Sequence, residues 1–118
     1  MTAKLTTHVL DTYHGKPASG VCWILEFKSL EGGWNQISAG TTNEDGRTGG
    51  ALIAGEALVT GCYRLRFDVA SYFSSNGVQL SEPPFLAEVV LQVNLVAGES
   101  YHVPLLCSPW SYSTYRGS

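Results

Sequence analysis

Glycine clusters divide this chain of 118 residues at short, regular intervals. The segments between them alternate in polarity or are rich in β-branched and aromatic residues, as β-strands are. Residues 21–28 and 34–39 are two such segments, and Gly32 and Gly33 between them predict a tight turn and therefore a β-hairpin. Because strands and turns account for most of the length, the sequence predicts an antiparallel all-β domain.

One short helix is expected in the second half of the chain. Asp68 is a favourable N-cap residue, and the pair Asn76 and Gly77 is typical of a helix end. The residues predicted for its apolar face are Ala70, Tyr72 and Phe73. The helix would be a small addition to a domain made mainly of strands.

Two further strands are predicted in the last third of the chain. Residues 85–95 alternate in polarity and predict one long strand, and residues 101–106 predict its return strand. Pro104 has no backbone N–H, so we expect it at a sheet edge or at an irregular position. Seven or eight short strands in total favour a two-layer β-sandwich, formed as a single domain over residues 1–118.

The composition argues against several classes of function. Seven basic and ten acidic residues are scattered along the chain, so no positively charged surface for nucleic acid is expected. The chain opens on a polar segment, which predicts neither a secretory signal nor a membrane span. Charged residues make up 14% of the sequence, compared with roughly 25% in typical soluble domains. This shortage indicates that a partner covers part of the outer surface.

The cysteines Cys22, Cys62 and Cys107 are odd in number, far apart and outside any metal-binding or redox spacing. This pattern argues against a disulfide framework and favours a reducing compartment. The chain is therefore predicted to be cytoplasmic, with a periplasmic or peroxisomal location if a targeting segment was removed. Each thiol is expected to be a small, buried apolar group.

Alternation along the predicted strands places two histidines on the outside of the sandwich. Successive strand residues point to opposite faces, so if Val9 packs in the core, His8 and Leu10 face outward. The core candidates of the return strand are Tyr101, Val103 and Leu105. Its outward residues are His102, Pro104 and Leu106, and the same surface is predicted to continue through Ser111, Ser113 and Tyr115. Such an apolar, weakly charged face is typical of an interface in a homo-oligomer.

Three side chains outside the predicted core could carry chemistry. His8 and His102 can each transfer a proton near neutral pH, although a single histidine is more often an interface residue. Arg47 follows a predicted turn at residues 43–46 and suits a bidentate contact with a carbonyl-rich or anionic ligand, although a lone loop arginine is usually a solvated charge. His14 would add a third imidazole for zinc, but it lies in a turn and no thiol or carboxylate has ligand spacing. We therefore predict no metal and no cofactor.

Four motifs together resemble one known family. They are THVLDT at residues 7–12, TNEDGR at 42–47, YHVPLL at 101–106 and STYRGS at 113–118. In this order and over the whole chain, they are similar to the 5-hydroxyisourate hydrolases, the transthyretin-related enzymes of urate breakdown. The resemblance implies a transthyretin-like sandwich that assembles as a homotetramer, with active sites in a channel between subunits. The implied reaction is opening of the 5-hydroxyisourate ring by water to give 2-oxo-4-hydroxy-4-carboxy-5-ureidoimidazoline.

The same resemblance implies which residues form the site. The catalytic residues would be His8, His102 and Ser118. The substrate-binding residues would be His8, Arg47, Tyr115, Arg116, Gly117 and Ser118. In this hypothesis one of the two histidines takes the proton of the attacking water, Ser118 orients His102 through its hydroxyl or carboxylate, and the two arginines bind substrate oxygens. The alternative is a non-enzymatic protein that binds a small ligand in the same transthyretin-like sandwich.

Overall fold

The computed structural model describes residues 2–118. Within them, eleven short strands are joined by turns and two short helical segments. The first six strands are β1 (Lys4–Thr6), β2 (Val9–Asp11), β3 (Lys16–Pro17), β4 (Cys22–Lys28), β5 (Trp34–Thr41) and β6 (Ile53–Ala54). After a 3-10 helix (Gly55–Ala57) come β7 (Gly61–Phe67), helix α1 (Val69–Ser75), β8 (Val89–Leu95), β9 (Tyr101–His102), β10 (Leu105–Cys107) and β11 (Tyr112–Thr114). The predicted all-β class with one short α-helix is confirmed.

One layer of the sandwich is a four-stranded antiparallel sheet with the order β5-β4-β7-β8. The predicted hairpin forms its β4 and β5, and Gly32 in the connecting turn has a φ of +91°, which residues with a side chain rarely adopt. Alternate side chains of β4 point into the core, where Leu25 is fully buried and Trp23 nearly so. The hairpin therefore supplies one wall of the hydrophobic interior.

The second layer consists of two sheets that continue into one another along the chain. Their strand orders are β6-β1-β9 and β11-β10-β2-β3. β1 pairs with β9 and β2 pairs with β10, in parallel in both cases. Hydrogen bonds from Val103 N to Thr6 O (2.9 Å) and from Leu105 N to His8 O (3.0 Å) continue this pairing between the two sheets. The interruption falls at Pro104, which agrees with the irregular position predicted for it.

The parallel pairing corrects the prediction that the domain is antiparallel throughout. Parallel neighbours need a long crossover instead of a tight turn. Here the partners Leu5 and Tyr101 are separated in sequence by the whole first layer. Alternation within a strand reveals which face a residue occupies, but it carries no information about strand direction. The predicted two-layer sandwich is nevertheless confirmed.

The core between the layers contains the residues of β2, β9 and β10 that alternation assigned to it. In the second layer, the buried residues include Val9, Tyr101, Val103 and Leu105. In the first layer, they include Leu25, Tyr63, Leu65 and Phe67. Because these side chains point inward, their neighbours in β1, β2, β9 and β10 point to the outer face, where the candidate site lies.

Helix α1 begins where the sequence predicts. The carboxylate of Asp68 accepts a hydrogen bond from Ser71 N at 3.1 Å, as an N-cap does. The buried residues of the helix are Val69, Tyr72 and Phe73, whereas Ala70, which was predicted for this face, is only half-buried. Val69 takes that place because it directly follows the cap and turns into the core. No helix within residues 2–118 has the length and apolarity needed to cross a membrane.

The long strand predicted over residues 85–95 is shorter in the structure. Only Val89–Leu95 forms β8, and Phe85 is 73% exposed. The preceding backbone is used elsewhere, because Ala87 O accepts a hydrogen bond from Ala70 N at the start of α1. The alternating pattern of residues 85–88 therefore does not reflect sheet pairing.

The prediction that all three cysteines are buried is correct only for Cys107. Its side chain points into the core from β10, and burial together with the Asp11 carboxylate raises the pKa of the thiol to about 12. Cys22 is exposed and Cys62 is half-buried, because both occupy outward positions of their strands.

Candidate functional site

The candidate site lies on the outer face of the second layer, around two histidines. Thr6 and His8 are two residues apart, and His102 is the direct partner of Thr6 in the neighbouring strand. All three are half-buried, whereas their sequence neighbours Thr7 and Val103 are buried. The prediction that both imidazoles face away from the core is confirmed. We call the surface formed by Thr6, His8 and His102 the imidazole face.

A row of largely apolar side chains continues this surface. Leu10 is paired with Pro17 on one side and with Leu106 on the other, and Leu106 is paired with Ser113. These residues are half-buried or exposed, as predicted for the outer surface. Pro104 is the exception, since it is buried, and its carbonyl accepts a hydrogen bond from the Thr114 hydroxyl at 2.7 Å.

The His8 imidazole is held by the backbone of a loop. Its Nε2 lies 2.7 Å from the carbonyl oxygen of Asp45. Next to it, Val9 N donates a hydrogen bond to Gly46 O at 2.8 Å, which fastens the same loop to β2. The loop therefore holds the His8 ring and is itself bound to β2, the strand that begins directly after His8.

The turn predicted ahead of Arg47 is present, and Asn43 organises it. The side-chain Oδ1 of Asn43 accepts hydrogen bonds from Asp45 N (2.9 Å) and Arg47 N (3.1 Å). Its backbone N–H donates to Arg47 O (2.8 Å), and its carbonyl accepts from Gly46 N (2.9 Å). Gly46 has a φ of +75°, and a Cβ atom there would collide with the carbonyl oxygen of Val9. Only glycine allows the turn to pack this closely on β2.

Arg47 lies near the imidazole face. The exposed Arg47 lines a cleft of about 350 Å³ together with Thr6 and Thr7. Burial lowers the pKa of His102, and the positive charges of Arg47 and His8 lower it further. Interactions of this kind require the three groups to be near one another. The structure thus brings together three of the predicted site residues and favours a neutral imidazole at His102.

His102 is fixed by its neighbours in the sheet and in the tail. Its Nδ1 lies 2.9 Å from the hydroxyl of Thr6. Its backbone forms two hydrogen bonds with Gly117, His102 N to Gly117 O (3.1 Å) and Gly117 N to His102 O (2.7 Å). Residues near the end of the chain are therefore bound to the sheet, and Ser118 follows Gly117 in the sequence.

The remaining tail residues point elsewhere. The Arg116 Nη2 lies 3.4 Å from Glu99 Oε1 and 3.3 Å from Ser100 O, and the guanidinium carbon is 4.6 Å from the centre of the Tyr101 ring. Tyr101 belongs to the core face of its strand, so Arg116 approaches the opposite side from the imidazoles. Tyr115 is 59% exposed. Among the hydrogen bonds within residues 2–118, Gly117 is the tail residue that contacts the imidazole face, and it does so through the backbone of His102.

The third histidine belongs to a different cluster. His14 Nδ1 lies 2.6 Å from Asp11 Oδ2, and Tyr72 donates to the same oxygen at 2.7 Å. Burial alone would raise the pKa of Asp11, but its hydrogen bonds with His14 and Tyr72 and the charge of His14 lower it overall. Among the residues that the structure describes, no three histidine, cysteine or acidic side chains are grouped as metal ligands.

Sequence reasoning missed the groups that hold the two imidazoles. Alternation could have found Thr6, because it lies two residues before His8 on the same face. Asp45 contributes a backbone carbonyl, which no side-chain pattern can reveal. The Asn43 side chain was recognised as part of a turn, but its link to His8 depends on the tertiary contact between that turn and β2.

Comparison with known proteins adds an independent line of evidence. The model of the HIUase/transthyretin family matches residues 5–117. A 5-hydroxyisourate hydrolase of Pseudomonas aeruginosa is 48% identical over 98% of this chain and 91% of its own length. The corresponding protein of Ralstonia nicotianae is 49% identical over 98% of both chains.

Solved structures agree with the fold. A structure titled (S)-allantoin synthase superposes with a TM-score of 0.93 and 40% identity, covering 99% of this chain and 44% of that chain. Sea bream transthyretin in complex with thyroxine gives a TM-score of 0.87 at 30% identity, over 98% of this chain and 95% of that chain. The predicted transthyretin-like architecture is confirmed.

Proposed function

Because this chain belongs to the HIUase/transthyretin family, we propose that the imidazole face and Arg47 form its active site. The chain is an enzyme that hydrolyses 5-hydroxyisourate in purine catabolism. The observations that carry the site proposal are that His8 and His102 share one outer face and that Arg47 lies close enough for its charge to lower the pKa of His102. Two imidazoles and a guanidinium supply the functions that hydrolysis of a cyclic amide requires.

The proposed chemistry assigns each group a task. Attack by water on an amide carbonyl needs a base that removes a proton from the water and positive or donor groups that stabilise the oxyanion. His8 or His102 serves as the base, and Arg47 binds the substrate's oxygens and supports the oxyanion. The neutral state favoured at His102 is compatible with either task, because a neutral imidazole has one nitrogen that accepts a proton and one that donates a hydrogen bond.

Residues 115–118 are proposed to complete the pocket. Gly117 is bound to the backbone of His102, and we assign to the hydroxyl or carboxylate of Ser118, the next residue, the task of orienting that ring or a water molecule. Tyr115 is proposed to shape the pocket wall. Arg116 is proposed to bind substrate oxygens once its guanidinium leaves Glu99 and Tyr101.

We also propose that the enzyme is a homotetramer with its sites in a channel between subunits. Leu10, Leu106 and Pro17 form an apolar row beside the imidazole face, and such a surface favours association. Two copies of this face packed together would enclose the imidazoles and exclude bulk water. The proposed location is cytoplasmic, which is supported by the three cysteines outside any disulfide or redox spacing.

The site proposal can be tested with fresh 5-hydroxyisourate made enzymatically from urate, following its ultraviolet band against spontaneous decay. We expect Arg47→Ala to lower kcat/KM by roughly 100-fold, because it removes a principal oxyanion donor. Lys28→Ala is the matched control, since it removes an exposed cation from β4 in the other layer. Equal activity of both variants and the unaltered enzyme would rule out this location for the site.

A further inference from the structure

Two hydrogen-bond partners differ in what they reveal about the protons on the imidazoles. The Asp45 carbonyl oxygen near His8 Nε2 can only accept a hydrogen bond. Nε2 must therefore carry a proton, and in a neutral ring the lone pair of His8 lies on Nδ1. The Thr6 hydroxyl near His102 Nδ1 can either donate or accept, so this contact is compatible with both tautomers.

We propose that His8 is the general base through Nδ1, and that Asn43 is the positioning residue that holds the Asp45 carbonyl against Nε2. This assignment rests on the proposed active site and goes beyond it by choosing between the two histidines and between the two nitrogens of His8. The carbonyl has the role that a buried carboxylate has in other hydrolases, since it selects the tautomer and stabilises the imidazolium that forms.

The local geometry makes this arrangement stiff. Asn43 Oδ1 binds Asp45 N and Arg47 N, which belong to the peptide units on either side of the one that carries the Asp45 carbonyl, and the N–H of that middle unit, Gly46 N, donates to the Asn43 main-chain carbonyl. The turn is then fastened to β2 through Gly46 O and Val9 N. Asn43 consequently positions the base and the oxyanion-binding arginine together.

The environment of His102 supports the same division. Burial and the positive charges of Arg47 and His8 lower the pKa of His102, which makes it a weaker proton acceptor. A weak base is better suited to remain neutral and to contribute a hydrogen bond. Donation from the Thr6 hydroxyl to Nδ1 would leave the proton on Nε2, available for the developing oxyanion.

The proposed proton transfers balance over the reaction. The water oxygen forms a bond with the amide carbonyl carbon while one water proton moves to His8 Nδ1. When the C–N bond breaks, the leaving nitrogen of the substrate ring takes this proton from His8. The product is a carboxylic acid that releases its remaining proton to solvent, so His8 ends each cycle neutral.

The test is long-range proton–nitrogen NMR on the full protein labelled with ¹⁵N-histidine, at a pH where His8 is neutral. The expected spectrum shows His8 with Nε2 protonated and Nδ1 unprotonated. A spectrum with the proton on Nδ1, in enzyme that still hydrolyses 5-hydroxyisourate, would overturn the assignment of the base while leaving the proposed active site intact. His8→Ala with normal activity would instead overturn the active site itself.

Variants of Asn43 test the positioning role. Asn43→Ala should mix the His8 tautomers and lower kcat/KM roughly 10- to 100-fold, as expected when reacting groups are misplaced. Asn43→Asp keeps the acceptor oxygen and should restore the single tautomer and much of the rate. Asn35→Ala, at an exposed position of β5, is the control and should behave like the unaltered enzyme. An Asn43→Ala enzyme with an unchanged His8 tautomer and rate would contradict the proposal.

Discussion

His14 and His8 are both histidines near the surface of the second layer, but their surroundings differ in kind. His14 binds the buried carboxylate of Asp11 through Nδ1 and through its backbone N–H, and its ring packs between Tyr13 and Phe73. His8 binds only a backbone carbonyl and lies near a second imidazole and Arg47. The first environment binds the ring to a buried carboxylate, and the second leaves a ring nitrogen for a substrate.

This difference shows that the neighbours of a histidine, more than its exposure, separate structural from chemical roles. The Asp11 carboxylate is satisfied by His14 and Tyr72, so that cluster links β2 to helix α1. Within residues 2–118, the side-chain ion pairs include none with His8, His102 or Arg47. Such a group of positive neighbours is suited to an oxygen-rich substrate.

The largest expected effect is on catalysis and separates the two environments directly. His8→Ala and His102→Ala should each lower kcat/KM by roughly 10² to 10⁴-fold, because each loses a group that takes part in proton transfer or oxyanion support. His14→Gln should retain near-normal activity at a temperature where it remains folded. Near-normal turnover of both alanine variants would show that the two environments do not differ in catalytic role. A comparable loss of kcat/KM in His14→Gln would show the same.

The second-largest effect is on stability. It should appear in the cluster of Asp11 and His14 and leave catalysis unchanged. Asp11→Asn should lower the free energy of unfolding by about 2 kcal/mol, because it weakens hydrogen bonds to a charged group, while kcat stays unchanged. The folded-state pKa of Asp11 is below its usual 3.8, so its contribution is fully present above that value and is lost as pH falls through the folded pKa. Denaturant unfolding at neutral and acidic pH measures this, with Glu31→Gln at the exposed tip of the β4–β5 hairpin as the control. A wild-type enzyme and an Asp11→Asn variant of equal stability at neutral pH would contradict it.

The smallest expected effect concerns Thr6, which supports the imidazole face without reacting. Thr6→Val removes one hydrogen bond to His102, worth about 1 kcal/mol, so kcat should fall roughly 5-fold. Thr6→Ser should recover the activity, because it keeps the hydroxyl. The His102 signals in the same NMR experiment should change in Thr6→Val, and an unchanged spectrum and rate would show that the hydroxyl has no positioning role.

Sequence reasoning predicted the features that depend on local chemistry. Alternation placed His8 and His102 outside the core because the strand period of two leaves no other choice once Val9 and Val103 are inside. The turn before Arg47 followed from the residue types of its motif, and alternation extended the outer surface to Ser113, which is paired with Leu106. These rules act over a few residues, so one sequence suffices.

The features that were missed depend on distant contacts. Parallel pairing of β2 with β10 places residues nearly a hundred positions apart side by side, and the contact between His8 and the Asp45 carbonyl exists only after that packing. The position of Arg116 against Glu99 and Tyr101 likewise results from where the tail meets the sandwich. A motif identifies which residues matter, whereas their partners follow from the tertiary structure.

The most direct test of the account is a crystal structure of the enzyme with urate, a stable compound closely related to the substrate. The account predicts that the bound ring lies on the imidazole face, with its oxygens toward Arg47 and with His8 Nδ1 facing the position of the attacking water. Urate bound instead beside Glu99 and Arg116, or against Asp11 and His14, would contradict the central claim that the two outer-face imidazoles form the active site.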